Sequence, residues 1–145
     1  EWPARAAESP YRTPYEALIM ASIVEKETGR AEERGQVAAV LVNRLRIRMA
    51  LQADPTVIYG LGEEFDGNLK KVHLRTDNPY NTYTRRGLPP SPIALPGLAS
   101  LRAALQPAQS EALYYVSRGD GTSAFSRTLE EHNRAVRKYQ LNGGR

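Results

Sequence analysis

The densest group of reactive side chains in this 145-residue sequence is Glu25-Lys26-Glu27, which follows directly on the apolar run from Ala17 to Val24. Read as one helix, the two glutamates point about 200° away from each other, so they cannot form a carboxylate pair at one spot. Glu27 stacks over Ile23 and Val24, and Glu25 over Ala21 and Ser22, so Glu27 has the more apolar neighbours. A carboxyl group in such surroundings tends to a raised pKa and suits general-acid work. The plainer reading makes both glutamates solvated charges at a helix end, where carboxylates are usually found.

A second group sits in the loop Asn78-Pro79-Tyr80-Asn81-Thr82-Tyr83. Tyr80, Asn81 and Tyr83 combine aromatic faces with an amide, which suits sugar binding and equally suits an ordinary loop. Gln52 and Asp54 are further polar candidates, although Asp54 before Pro55 serves at least as well as a helix cap. Arg44, Arg46 and Arg48 read most simply as a solvated basic face, with a polyanion contact second.

Other chemistries are poorly supplied. The chain has no cysteine, which excludes disulfides, thiolate metal sites and a cysteine nucleophile. His73 and His132, the two histidines, are far apart and read as a surface-loop and a helix-surface residue, too few for a histidine-rich zinc site. Phosphate-loop, dinucleotide-turn and nucleophile-elbow motifs are all missing. The expectation is an enzyme or binding domain with neither metal nor cofactor. The net charge of +4 is a mild excess that favours an anionic partner without choosing among nucleic acid, membrane surface and cell-wall polymer.

The elements that must position these residues follow from periodicity. Thr13 caps a helix over 15–28 with Pro14 at its first position, and this helix is apolar on every side, hence buried. Residues 33–49 form a second helix with Val37, Val40, Leu41 and Leu45 on one stripe. Asp54-Pro55 opens a short helix to Tyr59, and residues 63–96 are irregular. A helix after Pro96 presents Leu98, Leu101 and Leu105. Residues 112–126 form a hairpin turning at Gly119-Asp120-Gly121, and a last helix spans 128–141 with Ala135, Val136 and Tyr139 inward. The mixture is α+β, mostly helical with one small β-hairpin. Residues 1–14, with Trp2 and three prolines, read as a lead-in or linker stub, and 15–145 as the domain. No run of about 18 apolar residues is present, and the polar start has no signal-peptide core, so this piece is expected to be soluble.

Ala21-Ser22-Ile23-Val24-Glu25-Lys26-Glu27-Thr28 resembles the signature of the YceG-like family, the endolytic murein transglycosylases of MltG type. Val42-Asn43-Arg44-Leu45, the stretch from Leu51 to Gly60, Tyr80-Asn81-Thr82-Tyr83 and Gly87-Leu88-Pro89-Pro90 are similar and in the same order. Ile93 to Gly97, Ser100-Leu101, Phe125 and His132-Asn133 extend the match over 17–140. The resemblance implies a lysozyme-like lytic transglycosylase domain that cuts β-1,4 bonds between MurNAc and GlcNAc and leaves 1,6-anhydroMurNAc ends. It implies Glu27 as the catalytic residue, with Thr28 where lysozyme-like relatives carry Ser, and Gln52, Asp54, Tyr80, Asn81 and Tyr83 as substrate-binding residues.

It further implies action on peptidoglycan glycan strands at the outer, periplasmic face of the cytoplasmic membrane, beside peptidoglycan synthases, ending nascent strands. A membrane helix and a LysM-like domain, usual in the family, are expected outside this sequence, and nucleic acid is not an expected partner. The rival readings are a hydrolytic muramidase and a non-catalytic peptidoglycan-binding module.

Overall fold

The computed structural model describes residues 3, 5 and 9–142. Six residues of the expected lead-in, Trp2 included, lie outside them.

Helix α1 (Pro14–Glu27) starts as its sequence dictates: the Thr13 hydroxyl accepts from the Glu16 N–H at 3.3 Å, and Pro14 occupies a position where a missing N–H costs nothing. Met20, Ala21, Ile23 and Val24 have no exposed surface. The one polar residue of the run, Ser22, is equally buried: its hydroxyl donates to Ile19 O at 2.6 Å and accepts from Ile93 N–H at 3.0 Å. That pairing fastens the 93 loop to the core helix.

Helix α2 (Arg34–Arg46) follows a 3-10 turn at Ala31–Glu33, and Val37 to Val42 are all buried along it. It stops three residues short of the expected end, because Arg48 takes a left-handed backbone with φ of 61°. Helix α3 (Asp54–Leu61) and the short α4 (Lys71–Arg75) come next. Apart from α4 and a 3-10 turn at Gly62–Glu64, residues 63–96 are irregular, as expected.

Helix α5 (Leu98–Leu105) packs along α1. Its buried residues are Ser100, Ala103, Ala104 and Leu105, with Leu101 half-buried against the core; of the expected leucines only Leu98, 51% exposed, lies outside it. The small side chains let the two helices come close. Tyr11 closes this core, its hydroxyl donating to Ala104 O at 2.7 Å.

Strands β1 (Tyr114–Ser117) and β2 (Ser123–Ser126) pair antiparallel, with Tyr115 opposite Phe125. Gly119 and Gly121 make the turn at φ of 89° and 93°. Helix α6 (Leu129–Val136) is capped reciprocally by Thr128 and Glu131 and lies on the hairpin. A π-helical stretch, Arg137–Asn142, replaces the end of the expected 128–141 helix, and Ala135, Val136 and Tyr139 are half-buried. Helices with one two-stranded sheet make the fold α+β. Among the described residues no helix is long and apolar enough to cross a membrane.

Candidate active site

The two glutamates at the end of α1 part company. The Glu25 carboxylate caps α5: its Oε1 accepts from Gly97 N–H at 2.8 Å and from the Ser100 hydroxyl at 3.0 Å. The backbone bond from Gly97 and then the Ser100 bond hold its pKa below the usual carboxylate value. Glu27 turns the other way, into a cleft of about 290 Å³ between α1, the start of α3 and the hairpin. Burial pushes its pKa up, the negative charge of Asp54 adds to the rise, and the Tyr115 hydrogen bond and the Arg44 charge oppose it.

Tyr115, on β1, donates its hydroxyl to Glu27 Oε1 at 2.8 Å. Burial and the neighbouring Glu27 charge push the phenol well above its ordinary range, so it keeps its proton and donates. With Oε1 occupied as an acceptor, a protonated Glu27 carries its acid proton on Oε2.

Arg44 is the largest departure from expectation. It is buried, at 7% exposure, and is no solvated face. Its guanidinium donates to Leu113 O at 2.7 Å, Ala50 O at 3.1 Å, Leu51 O at 3.3 Å and Gln52 Oε1 at 3.4 Å. One side chain thereby joins α2, the hairpin and the 50–52 segment at the cleft wall. Gln52 sits in the left-handed region with φ of 51°, a conformation that non-glycine residues rarely take and that clusters at functional sites.

Asp54 is the first residue of α3, with Ala53 in the cap position, so its side chain does not cap that helix. It accepts instead from the Tyr83 hydroxyl across the cleft mouth. Burial and then that carboxylate push the Tyr83 phenol above its ordinary range. Glu27, Gln52, Asp54 and Tyr83 thus share one cleft, lined also by Arg44, Tyr115 and His132.

Tyr80 and Asn81 do not line that cleft. The Tyr80 hydroxyl pairs with Ser91 Oγ at 2.6 Å, and its ring lies against Tyr59 with centroids 4.9 Å apart. Asn81 is 1% exposed and spends its amide on the loop: Nδ2 donates to His73 O, Leu74 O and Thr76 O at 3.3, 3.1 and 2.9 Å, while Oδ1 accepts from Tyr83 N–H at 2.8 Å. Thr82, next to it, takes Ala53 N–H at 2.9 Å and locks the loop to the start of α3. The Thr28 hydroxyl is likewise committed, donating to Val24 O at 2.6 Å.

Arg44, Tyr115 and His132 were not among the expected site residues. Arg44 stands four residues after Val40 and seven after Val37, on the apolar stripe itself, and that spacing was the available signal of burial. His132, expected on a helix surface, is half-buried and stacks on Tyr114, with ring centroids 5.0 Å apart. Among the described residues no group of three His, Cys, Asp or Glu side chains could hold a metal ion. A larger concavity, about 650 Å³, lies at the other end of α1 around Tyr15 and Ile19; Arg46 and Arg48 line it, and none of the candidate catalytic or sugar-binding residues does.

The arrangement is an α+β domain with a half-buried acid, Glu27, in a polar cleft. The chain belongs to the YceG-like family, whose model matches residues 1–138. It is 44% identical over 125 residues to the endolytic murein transglycosylase of Bacillus subtilis (strain 168), covering 86% of this chain and 34% of that protein. It is 32% identical over 133 residues to a protein of the same name from Streptococcus pneumoniae (strain D39), covering 88% of this chain and 24% of that one. A yceG-like protein of Listeria monocytogenes, solved at 2.6 Å, matches with a TM-score of 0.75 and 45% identity over 83% of this chain and 38% of its own. The chain spans about a quarter to a third of the length of the curated relatives it matches.

Proposed function

We propose that this domain is an endolytic peptidoglycan lytic transglycosylase that cleaves the MurNAc–GlcNAc β-1,4 bond and leaves 1,6-anhydroMurNAc ends. The observation that carries the reading is the Glu27 carboxyl, half-buried at the cleft with a raised pKa and fixed through Oε1 by Tyr115. The names of the relatives support the substrate class.

The chemistry follows from one carboxyl group. Protonated Glu27 gives its Oε2 proton to the glycosidic oxygen as the C1–O bond breaks. The C6 hydroxyl of the same sugar attacks the oxocarbenium-like C1, forming the C1–O6 bond, and ionised Glu27 takes the hydroxyl proton. No water is consumed, and the acid is restored. Gln52, Asp54 and Tyr83 orient the sugars from the cleft wall, while Tyr80 and Asn81 act through the loop that carries Tyr83. The helical half is then lysozyme-like in the sense that a buried helix delivers the acid opposite a small sheet.

Residues 15–145 form the catalytic domain in this reading, with 1–14 as its lead-in. The whole protein is anchored at the outer face of the cytoplasmic membrane, works beside peptidoglycan synthases and ends nascent strands.

Asp54 favours a second reading, a hydrolytic muramidase, because it places another carboxylate in the same cleft. Treating the products with borohydride separates the two: anhydro ends resist reduction, whereas the reducing ends of a hydrolase accept it.

A further inference from the structure

His132 presents a buried polar atom that nothing in the cleft chemistry above uses. Its ring lines the cleft together with Glu27 and Arg44, and it lies nearly parallel to Tyr114, at 22°. The Tyr114 ring is also met by the Arg44 guanidinium, 5.2 Å from its centroid. Nδ1 of His132 is closed off from solvent and makes no hydrogen bond among the described residues. Orphaned buried N–H groups are rarer in folded proteins than under-satisfied buried acceptors, so the bare nitrogen is the form of Nδ1 that better suits its closed-off position. Desolvation first, and then the Arg44 charge, disfavour the imidazolium. Both considerations favour a neutral ring with its single proton on Nε2.

We infer that His132 is a further substrate-binding residue, donating from Nε2–H to a hydroxyl or N-acetyl oxygen of the glycan held in the Glu27 cleft. The stack on Tyr114 fixes the plane of the ring, and α6 is fixed by the reciprocal cap of Thr128 and Glu131 at its start. The donor is thus preorganised on rigid elements and loses little freedom on binding. This inference rests on the glycan reading and goes one residue beyond it.

The test uses this chain with Glu27→Gln, to prevent turnover, and the tetrasaccharide GlcNAc–MurNAc–GlcNAc–MurNAc as probe. Imidazole ¹⁵N spectra of the free protein should show His132 neutral and protonated at Nε2, and the tetrasaccharide should shift that resonance. Adding His132→Phe, which keeps the stack and removes the donor, should weaken binding about three- to tenfold, the range of one net hydrogen bond. An unshifted His132 resonance, while signals of Gln52 and Tyr115 move, overturns the role of His132 and leaves the glycan reading standing. A probe that moves no cleft signal overturns the glycan reading and this inference with it.

Discussion

Glu25 and Glu27 stand two residues apart on one helix and have opposite chemistry. Glu25 reaches Gly97 N–H and the Ser100 hydroxyl and is held ionised at the start of α5, while Glu27 is half-buried against Tyr115 and held toward its protonated form. A helix turns about 100° per residue, so a spacing of two sends one side chain to the structural face and the other to the cleft.

The division makes the two positions separable by mutation. Glu27→Gln should abolish glycan cleavage, whereas Glu25→Gln, whose amide oxygen still accepts from Gly97, should keep it within about twofold. Glu25→Ala removes the acceptor and should cost about 1 kcal/mol in urea unfolding, as a lost cap does. Glu27→Gln should also stabilise the fold at neutral pH. The folded pKa of Glu27 is above the ordinary 4.5, so its favourable contribution is complete below that value and is lost as pH rises through the folded pKa. The Tm gain over wild type should therefore be larger at pH 7 than at pH 4.

Tyr115 and Asp54 pull the Glu27 pKa in opposite directions, which gives a paired pH test. Tyr115→Phe removes a hydrogen bond that lowers it, so the alkaline limb of the rate profile should move to higher pH, with kcat down about tenfold for one lost positioning bond. Asp54→Asn removes a charge that raises it, so the same limb should move to lower pH. Two shifts of the same sign, read from pH–rate profiles, would contradict the arrangement.

Arg44 should behave as a structural bolt under the site. Arg44→Met leaves the carbonyls of Ala50, Leu51 and Leu113 without their donor and should destabilise by about 3 kcal/mol in denaturant unfolding. Arg44→Lys should recover little, because one ammonium cannot reproduce a planar fork that serves separate carbonyls.

Asn81→Asp is nearly isosteric but replaces an amide donor by a carboxylate. Facing His73 O, Leu74 O and Thr76 O, it should cost about 2 kcal/mol or more and lower activity through the displaced Tyr83 loop. An unfolding midpoint equal to wild type would show that this amide does not hold the loop.

What was legible in the sequence was what neighbouring residues decide. Thr13-Pro14 and the all-round apolar run specified α1, and Gly119-Asp120-Gly121 between short strand-like runs specified the hairpin. The more apolar side of Glu27 was visible from Ile23 and Val24 alone. The rest depends on partners far along the chain. Glu25 finds its donors 72 and 75 residues away, and Arg44 finds Leu113 69 residues away. Asn81, read as a ligand residue by its type, is taken up by carbonyls that only the folded loop brings to it. Leu98 reads as an apolar position by residue type, yet it is exposed while Ser100 and the alanines are buried, because close helix contact favours small side chains over large ones.

The central claim is that Glu27 drives an intramolecular transglycosylation. Mass spectrometry of the muropeptides released from purified peptidoglycan, with wild-type protein beside Glu27→Gln, tests it most directly. The account predicts 1,6-anhydroMurNAc-ended products from the wild type and none from the mutant. Reducing-ended products, or anhydro ends that persist in Glu27→Gln, would contradict it.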